Sequence, residues 1–150
     1  SIYDLKTAAD KVGAGGGTAT LIVAGAAGTN VAATNTPVIT DITGATDLGT
    51  VTTTNVLTIE GTFTSISDLE TALEAGGSHA LTASAANAVG DAMVVVYDDG
   101  TDSYLSIMEV TGIIANDDTY HAGSLKGHNI AKIVGTADSG DFISGGFEFV

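Results

Sequence analysis

Cysteine, arginine and tryptophan are all absent from the chain, and proline occurs once. Without cysteine there is no disulfide, no thiolate metal site and no cysteine nucleophile, so folding does not depend on redox compartment. Without arginine the usual bidentate clamp for phosphate and carboxylate substrates is missing, which argues against many metabolic active sites. With no tryptophan, four tyrosines and four phenylalanines, there is little material for the aromatic-lined sugar cleft in which paired glycosidase carboxylates work.

Positive charge is almost missing as well. Four lysines (Lys6, Lys11, Lys126 and Lys132) oppose 18 carboxylates, for a net charge of −14. A body so acidic repels phosphate backbones and anionic lipid, so neither nucleic acid nor a membrane surface is an expected partner. Divalent cations are its natural counter-ions. No run of about 18 apolar residues is present to span a bilayer, so transmembrane insertion is not expected. The first residues carry neither the basic n-region nor the apolar h-region of a signal peptide. If the protein is exported, the route is expected to read some other address.

Catalytic signatures are also lacking. His79, His121 and His128 are dispersed, with no spacing that puts two imidazoles on one helix face. No G-x-S-x-G elbow, Walker loop or G-x-G-x-x-G fingerprint occurs, and the Gly15, Gly16, Gly17 run has no following helix with a lysine. No nucleophile, base and oxyanion set can be named, and the chain is read as a non-enzyme.

What is present is a core. At 150 residues with 44% apolar content, the chain has the length and composition of one globular domain. Threonine and glycine abound, and Val, Ile and Thr cluster in short runs separated by Gly, Asn and Asp. The expected fold is mainly β, a β-sandwich-like or mixed antiparallel sheet with one or two short α-helices, at about 2–12 and 66–75. The domain is 1–150, with an N-terminal helical or assembly segment over 1–36 and a β-rich module over 37–150.

Along the chain, Ile2, Leu5, Ala9 and Val12 fall near helical spacing, Ser1 and Asp4 resemble a capping pair, and Gly13 is a stop. Strands are expected at 18–24, 38–42, 55–60, 92–97, 103–110, 128–134 and 147–150; the Ala/Gly/Thr/Asn stretch 25–36 reads as a loop or a weakly patterned strand. The second helix has Ser67 and Glu70 as an S-x-x-E capping box, Asp68 and Glu70 in its first turn, and an apolar stripe of Ile66, Leu69 and Leu73 ended by Gly76 and Gly77. Two β-rich runs flanking Asp98-Asp99-Gly100-Thr101-Asp102 form a strong hairpin signal.

The acidic pairs Asp98 with Asp99 and Asp102, Asp117 with Asp118, and Asp138 with Asp141 read first as turn and loop residues. Hard oxygen ligands gathered in a turn can also hold calcium. Asp98, Asp99 and Asp102 are therefore the candidate metal site, calcium being the one cofactor considered, although the turn does not match the twelve-residue EF-hand loop.

Three passages carry a family resemblance: SISDLETALEAGGSHALTASAANAVGDAM at 65–93, VVVYDDGTDSYLSIMEV at 94–110 and HNIAKIVGTADSGDFISGGFEFV at 128–150. The region 61–150 resembles the end regions of bacterial proteins exported by type I secretion, the large acidic surface-layer, adhesin and hemolysin-type proteins. The resemblance implies an uncleaved C-terminal export signal of an acidic residue followed by apolar ones, here Glu148 with Phe149 and Val150, preceded by Phe147. The calcium-binding nonapeptides of the hemolysin type are missing, so it implies the export route and not a β-roll. The expected function is a secreted, non-enzymatic structural protein of the bacterial surface. It self-associates into a filament, sheath or lattice and meets a type I exporter on its way out. The alternative is a calcium-dependent adhesin or binding module of a larger secreted protein.

Overall fold

The computed structural model describes residues 20–23, 26–30, 38–51, 54, 56–135 and 138, with only the backbone described over 20–30. Nine strands and one α-helix lie within them: β1 (Thr20–Val23), β2 (Ala26–Asn30), β3 (Ile39–Ile42), β4 (Thr46–Asp47), β5 (Val56–Thr62), α1 (Ile66–Leu73), β6 (Leu81–Thr82), β7 (Asp91–Asp98), β8 (Ser103–Val110) and β9 (Leu125–Ile133). The mainly β fold expected from composition is what forms. The expected helix at 2–12 and strand at 147–150 lie outside the described residues.

The main sheet has seven strands and is mixed. Its spine is β3, β5 and β7, which run parallel, Ile39 opposite Val56 and Val56 opposite Val94. On the other edge of β7 the chain returns antiparallel, with Ala92 opposite Glu109 and Asp98 opposite Ser103, and β9 then pairs antiparallel to β8. The antiparallel part is the expected hairpin. The parallel trio departs from the antiparallel expectation, for a reason of chain length. Parallel neighbours need a crossover of a dozen residues or more, and 43–55 and 63–90 provide two. Two short strands from these crossovers, β4 and β6, pair parallel with each other.

β7 and β8 are buried along almost their whole length. Both faces are covered, which is why Ala92 to Tyr97 reads as a continuous apolar run instead of an alternation. On one face Leu57, Ile59, Met93, Val95, Met108 and Val110 form a core with Leu69 and Leu73 of α1 and Leu48 and Leu81 of the crossovers. Burying a leucine of this kind contributes about 1.5–3 kcal/mol. On the opposite face Ala92, Val94, Val96, Leu105 and Ile107 are buried too.

Inside the expected N-terminal segment 1–36, β1 and β2 pair antiparallel, and β1 joins the main sheet, Thr20 opposite Asp91 and Leu21 opposite Ala92. β1 thus sits beside the start of β7, and β5 takes the same edge further along. No helix among the described residues is long and apolar enough to cross a membrane.

Candidate functional site: the acidic hairpin and the β9 edge

The hairpin between β7 and β8 positions all three sequence-predicted metal residues. Each carboxylate already has its own donors. Asp98 Oδ1 accepts from the Gly100 amide at 3.1 Å. Asp99 Oδ1 accepts from the amides of Thr101 and Asp102, both at 2.9 Å, and its Oδ2 from the Tyr104 hydroxyl at 2.8 Å. Asp102 Oδ1 accepts from the Gly135 amide at 2.8 Å, and its Oδ2 meets Lys132 Nζ at 2.6 Å. Gly100, with φ of 87°, supplies the left-handed residue the turn requires. The three acids come together in sequence and space, as turn acceptors and as an anchor for β9. Among the described residues no three His, Asp or Glu side chains are grouped to hold a metal ion.

These bonds set the ionisation of the group. The amide of Asp102 first, and then the Tyr104 hydroxyl, hold the Asp99 carboxyl below its ordinary 3.8. Hydrogen bonding from Lys132 does the same for Asp102 and raises Lys132 in return. The bond to Asp99 raises the Tyr104 phenol above its ordinary value.

A polar and aromatic cluster backs the turn on the α1 side of the sheet. Tyr104 stacks on Tyr97, ring centroids 5.1 Å apart, and Lys132 Nζ lies 5.7 Å from the Tyr104 centroid. Phe63 meets Tyr97 edge-on at 6.5 Å and His79 at 5.5 Å. Ser106 Oγ donates to Asn129 Oδ1 at 2.7 Å, and Asn129 Nδ2 donates to Tyr97 at 3.1 Å. Desolvation raises the Tyr97 phenol. The histidines stay dispersed: His79 is against Phe63, His121 is exposed in the loop before β9, and His128 Nε2 is 3.2 Å from Glu109 Oε2. Of the other acidic pairs, Asp117 is a turn residue at φ 61°, and the Asp118 carbonyl accepts from the Ala83 amide. The export-signal residues Phe147, Glu148, Phe149 and Val150 lie outside the described residues.

The sequence reading missed the second feature, the outer edge of β9. Helix α1 begins at Ile66 as expected, but its cap lies two residues before the expected box: Ser65 is the N-cap and accepts from the Asp68 amide at 3.1 Å, with the Thr64 hydroxyl donating to Asp68. Ser67 is not the cap, and Glu70 is not in the first turn. Shifting the cap frees Glu70 and Glu74, one turn apart on one face, for β9. Glu74 Oε2 accepts from the Gly123 amide at 2.8 Å, Glu74 Oε1 from Leu125 at 2.9 Å and Glu70 Oε1 from Gly127 at 2.7 Å. Two alternate amides of β9, which among the described residues pairs only with β8, and the turn amide before them are thus satisfied by two carboxylates. Lys126 adds an ion pair to Glu70 at 3.3 Å. An i, i+4 acid pair flanking the Leu69 and Leu73 stripe was the available signal, but nothing in the sequence says what it faces.

Compared with protein-family models, curated proteins and solved structures, the chain matches none of them.

Proposed function

We propose that this is an exported, non-enzymatic structural protein of the bacterial surface that self-associates into a filament, sheath or lattice. In this reading residues 147–150 serve a type I exporter. The observation that carries it is how the carboxylates are employed. Asp98, Asp99, Asp102, Glu70 and Glu74 each accept hydrogen bonds from the chain's own donors, mostly backbone amides. Acids spent in this way hold turns and sheet edges together; they are not poised as an acid and a base across a cleft. Among the described residues the mixed sheet ends on one side in the nine-residue β9, an edge long enough for assembly by strand addition, and a net charge of −14 suits packing bridged by divalent cations.

Electron microscopy of the native protein over a range of protein and calcium concentrations tests this. Ordered polymers or lattices are expected. A protein that stays monomeric throughout overturns the reading, and saturable calcium binding by that monomer would favour a calcium-dependent adhesin module instead.

A further inference from the structure

We infer that the carboxylates of Glu70 and Glu74 are a removable guard on an assembly edge: the outer edge of β9 is the surface on which a second copy of this chain docks, and these two side chains hold it closed. This deepens the self-association reading and rests on it.

An edge strand with unpaired amides recruits other strands, and proteins block such edges by covering or charging them. Here the cover is a pair of carboxylates from one helix packed in the core, which hold Leu125 and Gly127 of β9 and Gly123 in the turn before it. Such a cover can be exchanged for a strand, because an incoming backbone offers carbonyl acceptors to the same alternate amides.

Charge indicates the occupant. β9 (Leu-Lys-Gly-His-Asn-Ile-Ala-Lys-Ile) holds two of the four lysines and a histidine and has no carboxylate, in a chain with 18 of them. It is a basic strand on an acidic body, and each of its cations already meets an acid of the same chain: Lys126 with Glu70, His128 with Glu109 and Lys132 with Asp102. The complementary strand on a second copy is β3, which carries the exposed Asp41 and, among the described residues, pairs only with β5. Both strands run in the same direction as β7, so β3 of one copy beside β9 of the next continues the sheet in parallel. That contact joins two different surfaces, and repeating it gives an open filament wherever the rotation between copies does not close a ring.

The test uses Glu74→Gln in the full-length protein. The amide is isosteric, but Glu74 uses both oxygens, so glutamine satisfies one N–H and sets its own NH2 against the other. Hydrogen exchange is expected to speed up at the amides of Gly123 and Leu125 by about tenfold or more, with β7 and β8 unchanged. The variant should also associate, by sedimentation velocity, at a lower concentration than the native protein. Adding Asp41→Lys should reverse that gain. If the edge amides stay protected, the two carboxylates do not hold the edge closed and the inference falls. If they open while association is unchanged, or if Asp41→Lys leaves the gain intact, the β9 edge is not where a second copy docks. Either failure leaves polymers of the native protein, and so the broader reading, untouched. Should Glu74→Gln fail to fold, Glu70→Ala removes the single bond to Gly127 and is judged by the same two measurements, read at the amide of Gly127.

Discussion

A Cβ on Gly127 would stand 2.2 Å from Cγ1 and 2.5 Å from Cδ1 of Ile66, so α1 rests on β9 at a distance that only glycine allows. Gly127→Ala must push the helix away or turn Ile66 out of its place. A loss of about 1–3 kcal/mol is expected in urea denaturation. Ile66→Ala in the same chain should return part of it, giving a coupling of about 0.5–3 kcal/mol in a double-mutant cycle. Additive losses would mean that the two residues do not oppose each other.

Tyr120 is fully buried and donates its hydroxyl proton to Asn87 Oδ1. Tyr120→Phe keeps the ring and strands the amide oxygen, for an expected cost of about 1–3 kcal/mol. The same burial pushes the Tyr120 phenol well above its ordinary 10.0. A phenol whose folded value is raised stabilises the fold fully below the unfolded value, and that stability is lost as pH rises through the folded one. Above pH 10.0 tyrosinate absorbance from Tyr120 should therefore appear together with loss of the fold, not ahead of it.

The hairpin should dominate the acid response. Asp99 and Asp102 are both depressed from 3.8, so their contribution is present above that value and disappears as pH falls below it through the folded-state values. Lys132 is raised from 10.5, so its share is complete below that pH and lost above it. Asp102→Asn should flatten the fall of the melting midpoint at both extremes. An unchanged pH profile would show that the pair with Lys132 contributes nothing to the folded state.

Deletion of Phe147, Glu148, Phe149 and Val150 should abolish export through a type I channel while leaving expression intact. Secretion of the deletion at the native level would remove these residues from the proposed address.

The hairpin was legible because its signals are local: two β-prone runs and an Asp-Gly turn need only each other. Helix α1 was legible in its stripe of Ile66, Leu69 and Leu73 and misplaced in its cap, because Ser65 and Ser67 offer the same chemistry two residues apart. The choice went to Ser65 once Leu69 and Leu73 had to face the sheet. The parallel run of β3, β5 and β7 was not legible. Both crossovers lack the long helix that usually announces one, and two-residue strands such as β4 and β6 carry no period. Asp98, Asp99 and Asp102 were legible as acids of one turn, but which donors they would meet was not, since Lys132 of β9 and Gly135 in the turn after it reach Asp102 from some thirty residues away.

Composition alone determined a mainly β chain with a real core, no thiol chemistry and a net charge of −14, since these follow from counting side chains and charges. The direction of the strands, the acceptor roles of the acids and the closing of β9 by Glu70 and Glu74 were decided only in three dimensions. A carboxylate has the same sequence signature whether it faces water, a cation or an amide. Only the fold, by placing two alternate N–H groups of β9 and one from the turn before it against the carboxylates of Glu70 and Glu74, makes it the guard of an edge.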